Sequence, residues 1–181
     1  MDTQWPSYIV FDESKEGKPA FYAGAVHAPD PEMALQNARD VFGRRDDHVR
    51  LWVVRESHIY AKTAEELTLS PPEPTIENGD LEPYHVFQKT THKGTLNLVG
   101  EIEAANPSDA MAKSIDTFPN LKAIVWWVIP TRVVYRTEHT ETGILFTPGT
   151  EKAFRHPSHY PTVTLMREIN LANEKLNWED E

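Results

Sequence analysis

The chain repeats itself, and a repeat constrains the fold more tightly than any local pattern. Tyr8-Ile9-Val10-Phe11 recurs as Tyr84-His85-Val86-Phe87, an offset of 76 residues. The same offset carries Gly24 onto Gly100, Ala28 onto Ala104, Pro31 onto Pro107, Ala34 onto Ala110 and Phe42 onto Phe118. After a one-residue deletion, Trp52-Val53-Val54 maps onto Trp127-Val128-Ile129 and Tyr60 onto Tyr135. Gly, Pro, Trp and Tyr held in one ordered register are not the product of common apolar residues matching by chance.

Each copy reads as the same supersecondary unit. Residues 8–12 form a short apolar strand, and Gly17 with Pro19 marks the turn after it. One parity of the next segment gives Ala20, Tyr22, Gly24, Val26 and Ala28, matched by Leu96, Leu98, Gly100, Ile102 and Ala104, so a strand with one buried face is expected. The central glycine of each predicts a bulge or a close approach by another part of the chain. Asp30-Pro31 and Asn106-Pro107 carry an N-cap followed by a first-turn proline, which opens a helix. Ala34, Leu35, Ala38, Val41 and Phe42 give that helix its apolar stripe, and Ala110, Met111, Ser114, Thr117 and Phe118 give its counterpart a more polar one. A third strand follows at 49–54 and 124–129, and a fourth near 57–61 and 132–136.

The expected fold is therefore α+β: two tandem ββαββ units, each an antiparallel sheet of locally paired strands with one helix on one face, arranged as a covalent pseudo-dimer. The expected division is 1–63 for the first repeat, 64–83 for a connection, 84–137 for the second repeat and 138–181 for a C-terminal extension. Pro71, Pro72, Pro74 and Pro83 make the connection read as extended and semi-rigid. In the extension, Leu165, Met166, Ile169 and Leu176 have the spacing of a final helix, packed either on its own body or on a partner.

Charge narrows the function classes. The net charge is −10, and it sits in two segments. Residues 64–83 hold Glu65, Glu66, Glu73, Glu77, Asp80 and Glu82 with no Lys or Arg, and residues 168–181 hold five acids against Lys175. The remainder is neutral, so it lacks the basic excess that phosphate-backbone binding requires, and a nucleic-acid partner is not expected. No apolar run approaches the roughly 20 residues of a bilayer span, and the start lacks the basic and apolar regions of a secretory signal, so a cytoplasmic protein is expected.

Sites of chemistry are sparse. There is no cysteine, which removes disulfides, thiolate metal sites and cysteine nucleophiles. The eight glycines lie at least six residues apart, whereas phosphate loops and nucleophile elbows need them closer. His156 and His159 could share a helix face, but Pro157 and Pro161 break the helix. A Glu-x-x-His spacing of the kind used by carboxylate-bridged iron pairs is found at Glu82–His85, where a proline linker enters a strand rather than a helix. Asp46, Asp47 and His48 read as a solvated turn. No resident cofactor or metal is expected.

Two features suit contact with other proteins. Arg44-Arg45 ends the first helix, where it either meets the negative end of the helix dipole or anchors a carboxylate-bearing partner. Trp52 and Trp127 share one strand position, suited to a core or to an aromatic anchor.

Residues 27–45, His27-Ala28-Pro29-Asp30-Pro31 through Asn37-Ala38-Arg39-Asp40 to Gly43-Arg44-Arg45, followed by Leu51-Trp52-Val53-Val54, resemble the PaaB family. Arg155-His156-Pro157 with Tyr160 resembles that family's C-terminal Arg-His-Pro-x-x-Tyr. The second copy keeps the architecture but has Pro119-Asn120 in place of the double arginine, and Lys113-Ser114-Ile115-Asp116 in place of the Asn-Ala-Arg-Asp run. Family members usually carry one unit and act as a homodimer, so the chain looks like a fused variant.

The resemblance implies a non-catalytic subunit of a phenylacetyl-CoA epoxidase, a multicomponent monooxygenase of aerobic phenylacetate degradation. Its expected partners are a di-iron oxygenase subunit, a companion subunit and the reductase, with no nucleic acid and no membrane, and homo-oligomer formation is left open. Arg44, Arg45, Trp52, Arg155, His156 and Tyr160 are the expected partner-interface residues. The competing reading is a stand-alone small-ligand-binding protein or enzyme with a site between the repeats, using His27 and His48. A third, an RNA-binding sheet, is disfavoured by the neutral body.

Overall fold

The computed structural model describes residues 4–15, 17–43, 49–72, 80–138 and 164–169. The chain divides into two compact units, Met1–Thr147 and Pro148–Glu181. The first contains β1 (Ser7–Glu13), β2 (Phe21–His27), α1 (Pro31–Phe42), β3 (Arg50–Arg55), β4 (Tyr60–Thr63), α2 (Ala64–Leu69), β5 (Glu82–Lys89), β6 (Asn97–Ala104), α3 (Pro107–Thr117), β7 (Val125–Pro130) and β8 (Tyr135–Arg136). In the second, residues 164–169 are helical, which covers Leu165, Met166 and Ile169; Leu176 lies outside the described residues.

The helix signals act as read. Asp30 accepts a hydrogen bond from the Met33 backbone N–H at 2.8 Å, and Asn106 accepts from that of Asp109 at 2.9 Å. Ala34 and Ala38 are buried, and their small size lets α1 lie close on the sheet. Val41, placed in the stripe by periodicity, is 62% exposed, whereas Phe42 beside it packs on the core.

The eight strands form one antiparallel sheet in the order β4-β7-β5-β6-β2-β1-β3-β8. Here the structure departs from local pairing. The fourth strand of each repeat leaves its own unit: β4 pairs with β7 of the second repeat, and β8 pairs with β3 of the first. A turn of 3-10 helix at Glu56–His58, repeated at Thr131–Val133, redirects the chain, so the fourth strands begin at Tyr60 and Tyr135 rather than at 57 and 132. The halves also join through β2 and β6, where the Tyr22 N–H donates to Leu96 O and the Leu98 N–H to Ala20 O, both at 2.8 Å.

This sheet is strongly curled. A flat sheet would place β1 and β5 three strand spacings apart, about 14 Å. Phe11 of β1 and Phe87 of β5 instead stack with ring centroids 4.3 Å apart. Each half thus has its helix on one face and the other half's strands on the opposite face. Tyr8, Val10, Leu51 and Val53 pack toward α1, and Tyr84, Val86, Trp126 and Val128 toward α3. Ile9, Phe11, Trp52, Val54, Phe87 and Ile129 form the core shared by both halves.

The glycine position serves both roles that its place in the strand allows. Between β1 and β2 the register slips where Val10 opposes Gly24 but Phe11 opposes Tyr22, and β5 with β6 slips identically at Gly100. A bulge adds one residue and so reverses which parity faces which side. Ala20 and Tyr22 therefore enter the shared core while Val26 and Ala28 face α1, correcting the single buried face read from their common parity. A Cβ on Gly24 would lie 2.5 Å from Phe42 Cζ, and one on Gly100 would lie 2.4 Å from Phe118 Cζ. We expect Gly100→Ala to lower stability by about 1–3 kcal/mol and Phe118→Leu to recover part of that loss in the double variant, as measured by urea denaturation. Simple addition of the two losses would refute the clash.

The connection is not wholly extended. Thr63 caps α2 by accepting from the Glu66 N–H at 3.2 Å, and the Glu66 carboxylate accepts from the Thr63 N–H at 2.8 Å. The bond from the Thr63 N–H, and next the one that its hydroxyl donates at 3.0 Å, hold the Glu66 carboxyl below its usual pKa. Thr63-Ala64-Glu65-Glu66 is a capping box, a signal that the prolines farther along obscure.

Candidate functional site

The surface between the halves is pseudo-symmetric in its aromatic contacts. Trp52 meets Phe87 edge-on at 6.5 Å and 81°, and its counterpart Trp127 meets Phe11 at 6.4 Å and 87°. Such pairs contribute about 0.5–1.5 kcal/mol each beyond their burial. These rings fill the core that the two halves share.

The symmetry breaks at one place. His85, with no exposed surface, occupies the position that Ile9 holds in the first copy. Glu101 stands where the first copy has Ala25, and Arg136 where it has Ala61. Pairing brings the three together: Glu101 faces His85 across β5 and β6, and Arg136 lies opposite Trp52 across β3 and β8. The Arg136 guanidinium sits 4.1 Å from the Trp52 ring centroid, a cation–π contact, and donates to His85 Nε2. A guanidinium can only donate, so His85 carries its own proton on Nδ1. Glu101 Oε1 is 3.0 Å from Nδ1, within ion-pair reach although off hydrogen-bond geometry.

Burial, and next the Arg136 charge, push the His85 pKa down to about 4, so the ring is neutral near pH 7. Burial, and then Arg50, lower that of Arg136, with Glu101 and Glu13 opposing. With Nε2 occupied by Arg136 and the ring enclosed, His85 has no approach for a substrate. Its contact with Arg136 ties β8 to β5, while the same guanidinium lies over Trp52 of β3, so β8 is held to both repeats. Thr137 adds to this, its hydroxyl accepting from the Leu51 N–H at 3.1 Å and its own N–H donating to Leu51 O at 3.0 Å.

Of the residues singled out in the sequence, Trp52 is placed here, 5% exposed with the Arg136 guanidinium across its ring. Arg44, Arg45, Arg155, His156 and Tyr160 lie outside the described residues, as do His48, His156 and His159 as candidate ligands. His27 is exposed on β2, its Nδ1 3.1 Å from Trp5 O, away from the shared core. Among the described residues no three His, Asp or Glu side chains converge to hold a metal ion, and no helix is long and apolar enough to cross a membrane. The Glu82–His85 spacing includes His85, but no motif joins it to Glu101 and Arg136. The signal available is a comparison of aligned positions, where an apolar residue in one copy faces a titratable one in the other.

Comparison with known proteins places both halves in one context. The profile of the family described as phenylacetic acid degradation B matches residues 4–73 and again 80–167. One subunit of the 1,2-phenylacetyl-CoA epoxidase of Escherichia coli (strain K12), that designated B, is 45% identical over 62 residues, covering 34% of this chain and 65% of that protein. The chain thus spans somewhat less than two thirds of that relative. No solved structure matches the chain significantly.

Proposed function

Since the chain belongs to the phenylacetic acid degradation B family, we propose that it is a non-catalytic bridging subunit of a phenylacetyl-CoA epoxidase complex, with the chemistry carried by other subunits. The observation that carries this reading is the double family match, with both repeats built on one plan and the 45% identical relative named as a subunit of such an epoxidase. The packing supports it. The shared core is filled by Phe11, Phe87, Trp52 and Trp127, which suits a body that presents its outer faces. In this reading Arg44, Arg45, Arg155, His156 and Tyr160 contact partners directly, whereas Trp52 acts through the position of β3 and β8.

The test is co-expression of the full chain with the di-iron oxygenase and companion subunits from the same source. We expect one co-eluting complex at micromolar concentration. Separate elution of all components, or substrate turnover by this chain alone, would overturn the proposal.

A further inference from the structure

Repeat proteins allow each corner of one copy to be judged against its twin. In the second repeat, the Tyr84 hydroxyl donates to Glu82 Oε1 at 2.7 Å, and Arg132 grips the same carboxylate, Nε to Oε2 at 2.6 Å and Nη2 to Oε1 at 3.3 Å. A phenol and a guanidinium thus share one carboxylate at the start of β5. The first repeat keeps the phenol as Tyr8 but has Pro6 where Glu82 stands and Ser57 where Arg132 stands. Its guanidinium belongs to Arg55, at the position that Pro130 holds in the second copy. Arg55 lies opposite Tyr8 in the ladder of β1 and β3, so both side chains leave the same face of the sheet.

Pro6, Arg55 and Ser57, the equivalents of Glu82, Pro130 and Arg132, line a hollow of about 370 Å³ together with Ser7 and Glu56. Burial raises the Tyr8 pKa, and the Arg55 charge opposes that rise, so the guanidinium acts on the phenol. Glu56 does not replace Glu82: among the described residues no carboxylate forms an ion pair with Arg55, and the Tyr8 hydroxyl makes no hydrogen bond. The corner therefore holds the two groups that bind a carboxylate in the second repeat and lacks the carboxylate itself. The hollow is shallow and does not enclose a small acid in the way that ligand pockets do. Trp5, 59% exposed, directly precedes Pro6, and an exposed tryptophan near an arginine without an ion-pair partner is the composition of a protein-binding hot spot.

We propose that the hollow between the start of β1 and the end of β3 receives an Asp or Glu side chain of another subunit, which takes the place that Glu82 holds in the second repeat. This rests on the bridging role proposed above and names a contact that performs it. The incoming carboxylate accepts from the Arg55 guanidinium and the Tyr8 hydroxyl, both charge-assisted bonds.

The experiment compares full-length wild type, Arg55→Glu and Tyr8→Phe in co-purification with the oxygenase and companion subunits, beside the thermal midpoint and elution volume of each chain alone. Neither group gives up a hydrogen bond or ion pair within the free chain, so midpoints within about 2 °C of wild type are expected. Partner retention should fall by on the order of tenfold in each variant, the loss of one hydrogen bond to a charged group. Retention unchanged in either folded variant overturns the site while leaving the bridging role intact, whereas failure of the wild type to co-elute defeats the bridging role first. A larger fall in midpoint for Tyr8→Phe alone in solution, or a change of elution volume in either variant, overturns the proposal by assigning these groups to the chain's own packing or to a second copy. Should Arg55→Glu fail to fold, Tyr8→Phe decides.

Discussion

Phe87→Ala is expected to lower the stability of the first unit by about 3–5 kcal/mol, the range for truncating a fully buried aromatic. That is a large part of the 5–15 kcal/mol by which a domain is usually stable. Phe87 is 1% exposed, stacks on Phe11 and receives the edge of Trp52. The cavity would open in the core that both repeats share, so the two should still unfold in one cooperative step. Phe11→Ala should cost a similar amount, because Phe11 is the symmetry counterpart and receives Trp127 in the same geometry. The double variant should lose less than the sum, since the rings touch. Urea denaturation followed by tryptophan fluorescence and far-ultraviolet circular dichroism would decide it. Two separate transitions, or losses below about 1 kcal/mol, would show that the repeats fold as independent bodies.

The second large effect is on acid stability. The enclosed His85 ring has its pKa pushed down to about 4 from an unfolded value near 6.5, so the unfolded chain binds a proton in that interval that the folded chain refuses. The stability associated with neutral His85 is therefore full above pH 6.5 and is lost progressively as pH falls toward 4, by up to about 3 kcal/mol. The charges facing the ring are Arg136 from β8, which opposes protonation, and Glu101 from β6, which favours it but is 59% exposed on its side chain and screened by solvent. His85→Gln should flatten the fall of urea midpoint between pH 7 and pH 4.5 relative to wild type. An equally steep fall in that variant would assign the acid sensitivity to carboxylates instead.

Much of the architecture is local and is therefore legible in the residues. The caps at Asp30 and Asn106, the prolines after them, the bulge glycines and the third strands act through neighbours a few positions away or recur in both copies, and either property can be read along a chain. Two local signals are obscured. The capping box at Thr63 is hidden by the prolines that follow it, and the common parity of residues 20–28 conceals a bulge that divides one strand between two cores. The candidate site is legible only as an imbalance, since Ile9 against His85, Ala25 against Glu101 and Ala61 against Arg136 are visible differences without a visible meaning.

The repeat, the helix on each unit and the resemblance to the phenylacetic acid degradation B family follow from order and spacing in the chain, because hydrogen-bond ladders and capping groups act over short separations. Which strand partners which does not. Locally, β4 and β8 could extend their own sheets, and only the completed tertiary structure sends each to the other repeat, where Trp52 gains a guanidinium across its face and the aromatic rings of both halves close over one another. Burial is a property of the whole assembly: a fourth strand gains more by sealing the shared core than by lengthening its own edge, and a sum over distant residues of that kind is written in no single stretch of sequence.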